Sequence, residues 1–253
     1  MAEVSAVVKT DDTSVRWWEP LVAFGGGNMA AIVIVTAMLL GAMMRGLPPS
    51  DATALLSTNF MGIMSSVVLS DGIILGLCWW LVRRRTASPM EAYFPSVPLR
   101  AVLGAAAAGI VLSLAVNGAN QLIDAAGWVH FSDTPTERAM VPRTIVQFAL
   151  SLFTVTLLAP LVEEFVFRGL LMRWLMPFAK VTGAVLVSGF VFGLIHGQLY
   201  QHPGAQGALL TAELTLIGAV LGLWVVRTGS LRTSFAMHAA FNLTATILSV
   251  MWQ

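Results

Sequence analysis

The chain has 253 residues, of which 57% are hydrophobic and only 11% charged, with a mean hydropathy of +0.80. A soluble domain carries about 25% charged residues, so this composition excludes one and describes a polytopic membrane protein. The net charge of +1 argues against nucleic acid as a partner, and the single cysteine, Cys78, excludes an internal disulfide and any CxxC motif.

Residues 1–20 are polar, mixed in charge and lack an apolar core, so they read as a cytoplasmic tail rather than a cleaved signal. Trp17 and Trp18 close that tail as an interfacial anchor. A membrane helix needs about 20 mostly apolar residues. Seven stretches qualify: 24–44, 60–82, 101–123, 145–172, 181–199, 207–226 and 232–252. They predict an all-α membrane domain of about seven transmembrane helices enclosing a polar cavity. Residues 21–143 supply the first three helices and residues 144–253 the rest, within one domain. The fourth span is longer than a bilayer requires, so it is expected to tilt or to run on as an amphipathic end. Asp71 and Glu213 are single acids in otherwise apolar spans, expected to hydrogen-bond between helices in the protonated form, with lining of the cavity as the other reading. Cys78, beside Trp79 and Trp80, reads as lipid-facing or core packing.

The connecting loops set the orientation. With the N-terminus inside, eleven Lys and Arg fall on the inner side, Arg168 included, and only Arg45, Arg138 and Arg143 on the outer. Loop 83–100 is basic and proline-broken, and is expected to lie at the interface with its arginines near headgroups. Loop 124–143, with His130, Asp133 and Glu137, is expected to be solvated, and Tyr200, Gln201 and His202 to form a plain connector.

The fourth span reads LAPLVEEFVFRGLL. A charge at mid-membrane costs roughly 2.5–3.5 kcal/mol on insertion scales, yet Glu163, Glu164 and Arg168 all stand here. Glu164 and Arg168 are four apart and can pair. Glu163 is turned about 100° away and is left for another partner. Pro160 is expected to kink the helix by crowding the Thr156 carbonyl. The fifth span ends FVFGLIHGQ, with Phe192 and His196 on one face; the seventh reads FAMHAAFNL, with His238 and Asn242 on one face. Each piece alone has a plainer reading, as a buried ion pair, a satisfied histidine or an interhelical hydrogen bond. Together they supply a carboxylate and an imidazole to activate water, and a second imidazole with an amide to stabilise an oxyanion. Neither GxSxG nor HExxH occurs, so direct attack by water is the reading. A transporter or an immunity protein using the same cavity is the alternative, with Asp71 and Glu213 on an ion path. In a simple up-and-down topology His196 falls one to two helical turns nearer the outer side than Glu163 and His238.

EEFVFR (Glu163 to Arg168) fits an EExxxR motif, FGLIH (Phe192 to His196) fits FxxxH, and HAAFN (His238 to Asn242) fits HxxxN. In this order and in apolar helices, they resemble the CPBP (CAAX protease and bacteriocin-processing, or Abi) family of intramembrane endopeptidases, which includes the type II CAAX prenyl endopeptidases. The resemblance covers about residues 145–252. It implies that Glu163 and His196 activate water and that His238 and Asn242 form the oxyanion site, with Glu164, Arg168 and Phe192 in support. It implies a glutamic peptidase with no cofactor; zinc held by Glu163, His196 and His238 with an open position is the other possibility. The implied partners are the bilayer and a membrane-associated peptide or protein, cut near its C-terminus. The expected location is multi-pass in a bacterial inner membrane. Prenylated C-termini, bacteriocin or signalling-peptide precursors and C-terminal sorting tags are all substrates of such families, and the first three spans select none of them.

Overall fold

The computed structural model describes residues 14–251. Among them every regular element is helical, as the apolar spans predict. Six helices are long and apolar enough to cross a membrane: α1 (Trp18–Met44), α2 (Phe60–Arg83), α3 (Leu99–Ala125), α4 (Ile145–Gln201), α5 (Ala205–Thr228) and α6 (Leu231–Met251). Seven are not counted because the expected fourth and fifth spans run together as one 57-residue stretch. Its helical path breaks at Lys180 (φ 55°, ψ 175°), which separates a first leg, 145–179, from a second, 181–195, and again at Gly197 (φ 70°). The first leg continues past the expected end at 172 and carries Pro177 within the helix before it breaks at Lys180.

Helices gain little from the hydrophobic effect inside a bilayer, and small residues that let backbones approach take its place. α1 packs on α2, α3 on α6, and the second leg of α4 on α5, while the first leg lies between α2 and α6. The second leg meets α5 through Gly189 and Gly218; a Cβ on Gly189 would lie 2.7 Å from the Ala219 nitrogen. Where α5 ends, Gly229 takes the left-handed conformation (φ 70°) and its N–H donates to the Val225 carbonyl, so α6 starts two residues later.

Of the expected tail, residues 1–13 lie outside the described residues. Trp17 is exposed, but Trp18 packs against the core, and the buried Glu19 pairs with Arg85 at 3.1 Å. Loop 83–100 keeps Arg83, Arg84 and Arg100 exposed but is also packed on its other side. Its short helix Pro89–Tyr93 tucks under the first leg, where the Tyr93 and Phe94 rings meet Phe165 edge-on. Three bonds tie the loop down: Arg173 donates to the Ala92 carbonyl at 2.8 Å, Arg232 to Phe94 at 2.8 Å and Ser230 to Pro95 at 2.9 Å. The loop's own carbonyls are the acceptors, and the donors come from α4 and from the start of α6.

Loop 124–143 is likewise more ordered than a solvated loop. Thr134 and Glu137 form a reciprocal capping box on the helix Pro135–Met140, and Glu137 also meets the Nε2 of His202 at 3.0 Å. His202 is buried, so the connector after α4 is pinned to this loop. Burial alone would raise the Glu137 carboxyl, but the Thr134 N–H, His202 and the Thr134 hydroxyl outweigh it and hold the group below its ordinary value. Each of these partners favours the charged form.

Candidate active site

The first leg of α4 is not a uniform α-helix. Residues Leu152–Leu158 and Glu164–Leu171 are π-helical and flank a five-residue α-helical stretch, Ala159–Glu163. The Ala159 N–H donates to Thr154 and the Met172 N–H to Phe167, each five residues back. Turns of this kind are uncommon and gather at functional sites. The first one also moves the effect of Pro160. With α spacing its missing N–H would orphan Thr156, as expected from the sequence; with π spacing the orphan is the Val155 carbonyl, five residues back. That carbonyl accepts from Nδ2 of Asn242 on α6 at 2.9 Å. At Pro160 the helix makes a π turn clasped from a neighbouring helix.

Glu164 and Arg168 are both fully buried and pair at 2.9 Å. Arg168 also donates to the Gly218 carbonyl of α5 at 2.7 Å. Glu164 reaches a second partner, accepting from Nδ1 of His238 at 3.0 Å. Glu163 faces elsewhere, and the helical rotation between adjacent residues is the reason. Its Oε1 lies 4.0 Å from Nε2 of His196 and its Oε2 3.6 Å from Nε2 of His238. His196 is oriented by its own helix: Nδ1–H donates to the Phe192 carbonyl at 2.7 Å, which leaves Nε2 as an acceptor turned towards Glu163.

Phe192 sits at the centre. Its ring meets His196 at 4.6 Å and His238 at 5.8 Å between centroids, and the Arg168 guanidinium lies 4.6 Å over it. The buried ring thus holds both imidazoles and covers the cation.

The depth mismatch expected for His196 disappears with the longer first leg. Glu163 lies 17 residues before Lys180 and His196 16 residues after it.

A cavity of about 930 Å³ descends to these residues. Glu163, Phe192, His196, His238 and Asn242 form its floor, and Asp133, Glu137, Arg138, Arg143 and Ser249 line its upper part. Its size is that of a small-ligand or peptide side-chain site. The structure therefore brings together all seven residues singled out from the sequence. Asp71 and Glu213 are not among the cavity's lining; Glu213 accepts from Asn120 at 3.2 Å, joining α5 to α3. Val155 and Gly218, whose carbonyls hold Asn242 and Arg168, carry no side-chain signal that a sequence could show. Pro160 was the one visible trace of the first.

The proposed zinc set can be tested for fit. Among the described residues no three His, Cys, Asp or Glu side chains are placed to hold a metal ion, Glu163, His196 and His238 included. Glu163 and His196 stand 4.0 Å apart, wider than two ligands about 2.0–2.1 Å from a tetrahedral zinc would be.

Residues 145–244 match the family model described as type II CAAX prenyl endopeptidase Rce1-like. The three motifs resemble this same family of peptidases, and the matched segment contains every one of their residues. No curated protein and no solved structure matches the chain.

Proposed function

We propose that the chain is a CAAX-type intramembrane endopeptidase that hydrolyses a peptide bond of a membrane-associated protein or peptide. The observation that carries this reading is the placement of the Glu163 carboxyl group 4.0 Å from Nε2 of His196 at the floor of a cavity. The gap is too long for a direct hydrogen bond and suits a water bonded to both at about 2.8 Å each. Glu163 and His196 take the water's proton as it attacks the scissile carbonyl, and the glutamic acid formed then protonates the leaving amine.

Charge develops on the carbonyl oxygen, and two groups face it. Asn242 has two amide hydrogens; one goes to Val155, and the other serves the oxyanion. His238 commits Nδ1–H to Glu164, so its Nε2 donates only when the ring carries both protons. Glu164 beside it stabilises that imidazolium, and Arg168 holds Glu164 in place. No metal enters this mechanism. The residues that recognise the substrate lie in the upper cavity, and cleavage near a C-terminus fits a site reached through one open end. The location proposed is a bacterial inner membrane.

Glu163→Gln keeps shape and removes the base, and His196→Ala removes its partner. Each, expressed at normal level, abolishes processing of the natural substrate, read by intact-mass comparison of membrane and secreted proteins with and without the active chain. Wild-type processing by either variant would refute the glutamate–histidine mechanism.

A further inference from the structure

We propose that the site takes its substrate from the face of the membrane opposite the basic loops, the outer face, so that it acts on polypeptide already exported or exposed there. The proposal rests on the peptidase reading for what happens to the substrate, but not for the side from which it comes.

Two independent observations carry it. The first is the distribution of cations. Among the described residues nine Lys and Arg cluster at one end of the bundle: Arg16, the run Arg83 to Arg85, Arg100, Arg173, Lys180, Arg227 and Arg232. Three, Arg45, Arg138 and Arg143, stand at the other, and Arg168 is buried between them. Such a bias in short loops places the crowded end in the cytoplasm.

The second is the shape of the site. From Glu163 the cavity rises to Arg138, Arg143 and Ser249, all at the sparse end, between the capped helix Pro135–Met140 and the end of α6. Towards the basic end it is closed. Directly below Glu163 the Glu164–Arg168 pair is fully buried, and beneath that Phe165, Phe167, Leu170, Met172 and Leu231 are at most 2% exposed. Tyr93, 1% exposed, seals this layer from loop 83–100, which its backbone bonds to Arg173, Ser230 and Arg232 hold shut. A chain arriving from the basic end would have to part an aromatic layer and a buried ion pair; from the other end it meets an open, polar mouth. The substrate class that follows is an extended segment of an exported or outward-facing polypeptide.

The test reads access and needs no activity. In a Cys78→Ser background, single cysteines are placed in the cavity (Ala245→Cys), at its rim (Ser249→Cys) and on the exposed basic loop (Ala87→Cys). A membrane-impermeant maleimide is applied to intact cells and to inverted membrane vesicles. The first two label in intact cells, and Ala87→Cys labels only in inverted vesicles. The reverse pattern, or labelling of Ala245→Cys from the inverted side alone, overturns the proposal. Because labelling is independent of catalysis, it stands or falls separately from the Glu163→Gln result.

Discussion

The clasp between Asn242 and Val155 can be separated from any role of Asn242 in chemistry by changing Pro160. The Val155 carbonyl lacks a backbone donor because residue 160, five positions on in the π turn, has no N–H. Asn242→Ala removes the substitute donor, and losing one such hydrogen bond to a half-buried carbonyl costs about 1 kcal/mol. Pro160→Ala restores an N–H at the π-spaced position. In that background Asn242→Ala should cost less than about 0.5 kcal/mol, because Val155 keeps a partner, and the two changes should couple as contacting groups do. Activity should behave differently. The second amide hydrogen faces the oxyanion, and removing one such donor lowers kcat by about 10²–10³-fold, in both backgrounds alike. Equilibrium unfolding in detergent and turnover of the processed substrate are measured on all four proteins. An unchanged stability loss in the Pro160→Ala background would refute the clasp. Activity recovered together with stability would show that Asn242 acts through the helix alone.

Arg168→Met leaves Glu164 buried without its cationic partner, and should destabilise by about 3–5 kcal/mol. The double variant with Glu164→Gln should lose clearly less than the sum of the two single losses, by unfolding in detergent; additive losses would contradict a closed pair. Glu137 has its carboxyl held below the ordinary value of 4.5, so its tie to Thr134 and His202 is fully present above that value and lost as pH falls through the depressed one. Amide exchange over residues 134–140, corrected for the intrinsic rate, should rise on acidification below about that value, and Glu137→Gln should abolish the step.

Much of this arrangement is legible in the sequence, because charge in an apolar helix is costly enough to announce itself. The i,i+4 spacing gives the Glu164–Arg168 pair, and the rotation between neighbours gives Glu163 its separate direction. Where the reading fails, it fails on backbone. No residue type encodes an i→i+5 turn, so Pro160 points to Thr156 when the carbonyl it frees belongs to Val155. The end of the first leg is likewise hidden, since Pro177 reads as a helix end and the helix runs through it to 179. Polar loops read as solvated because their partners are distant in sequence: Glu137 finds His202, and Arg232 finds Phe94. The helices themselves needed only length and composition; the closure beneath the site needed three-dimensional contacts.

The bend at Lys180 makes the two legs of α4 into measuring arms. Glu163 and His196 lie 17 and 16 residues from the same point, and the Ser188 hydroxyl, which donates to the Phe167 carbonyl at 3.0 Å, fixes the two legs in that register. One residue added to either arm would slide its side chain by 1.5 Å and swing it by about 100°. A deletion of one residue near the bend, far from the cavity, should therefore be as damaging as a substitution in it. Where the chain tolerates insertions is thus a map of what the site has to count.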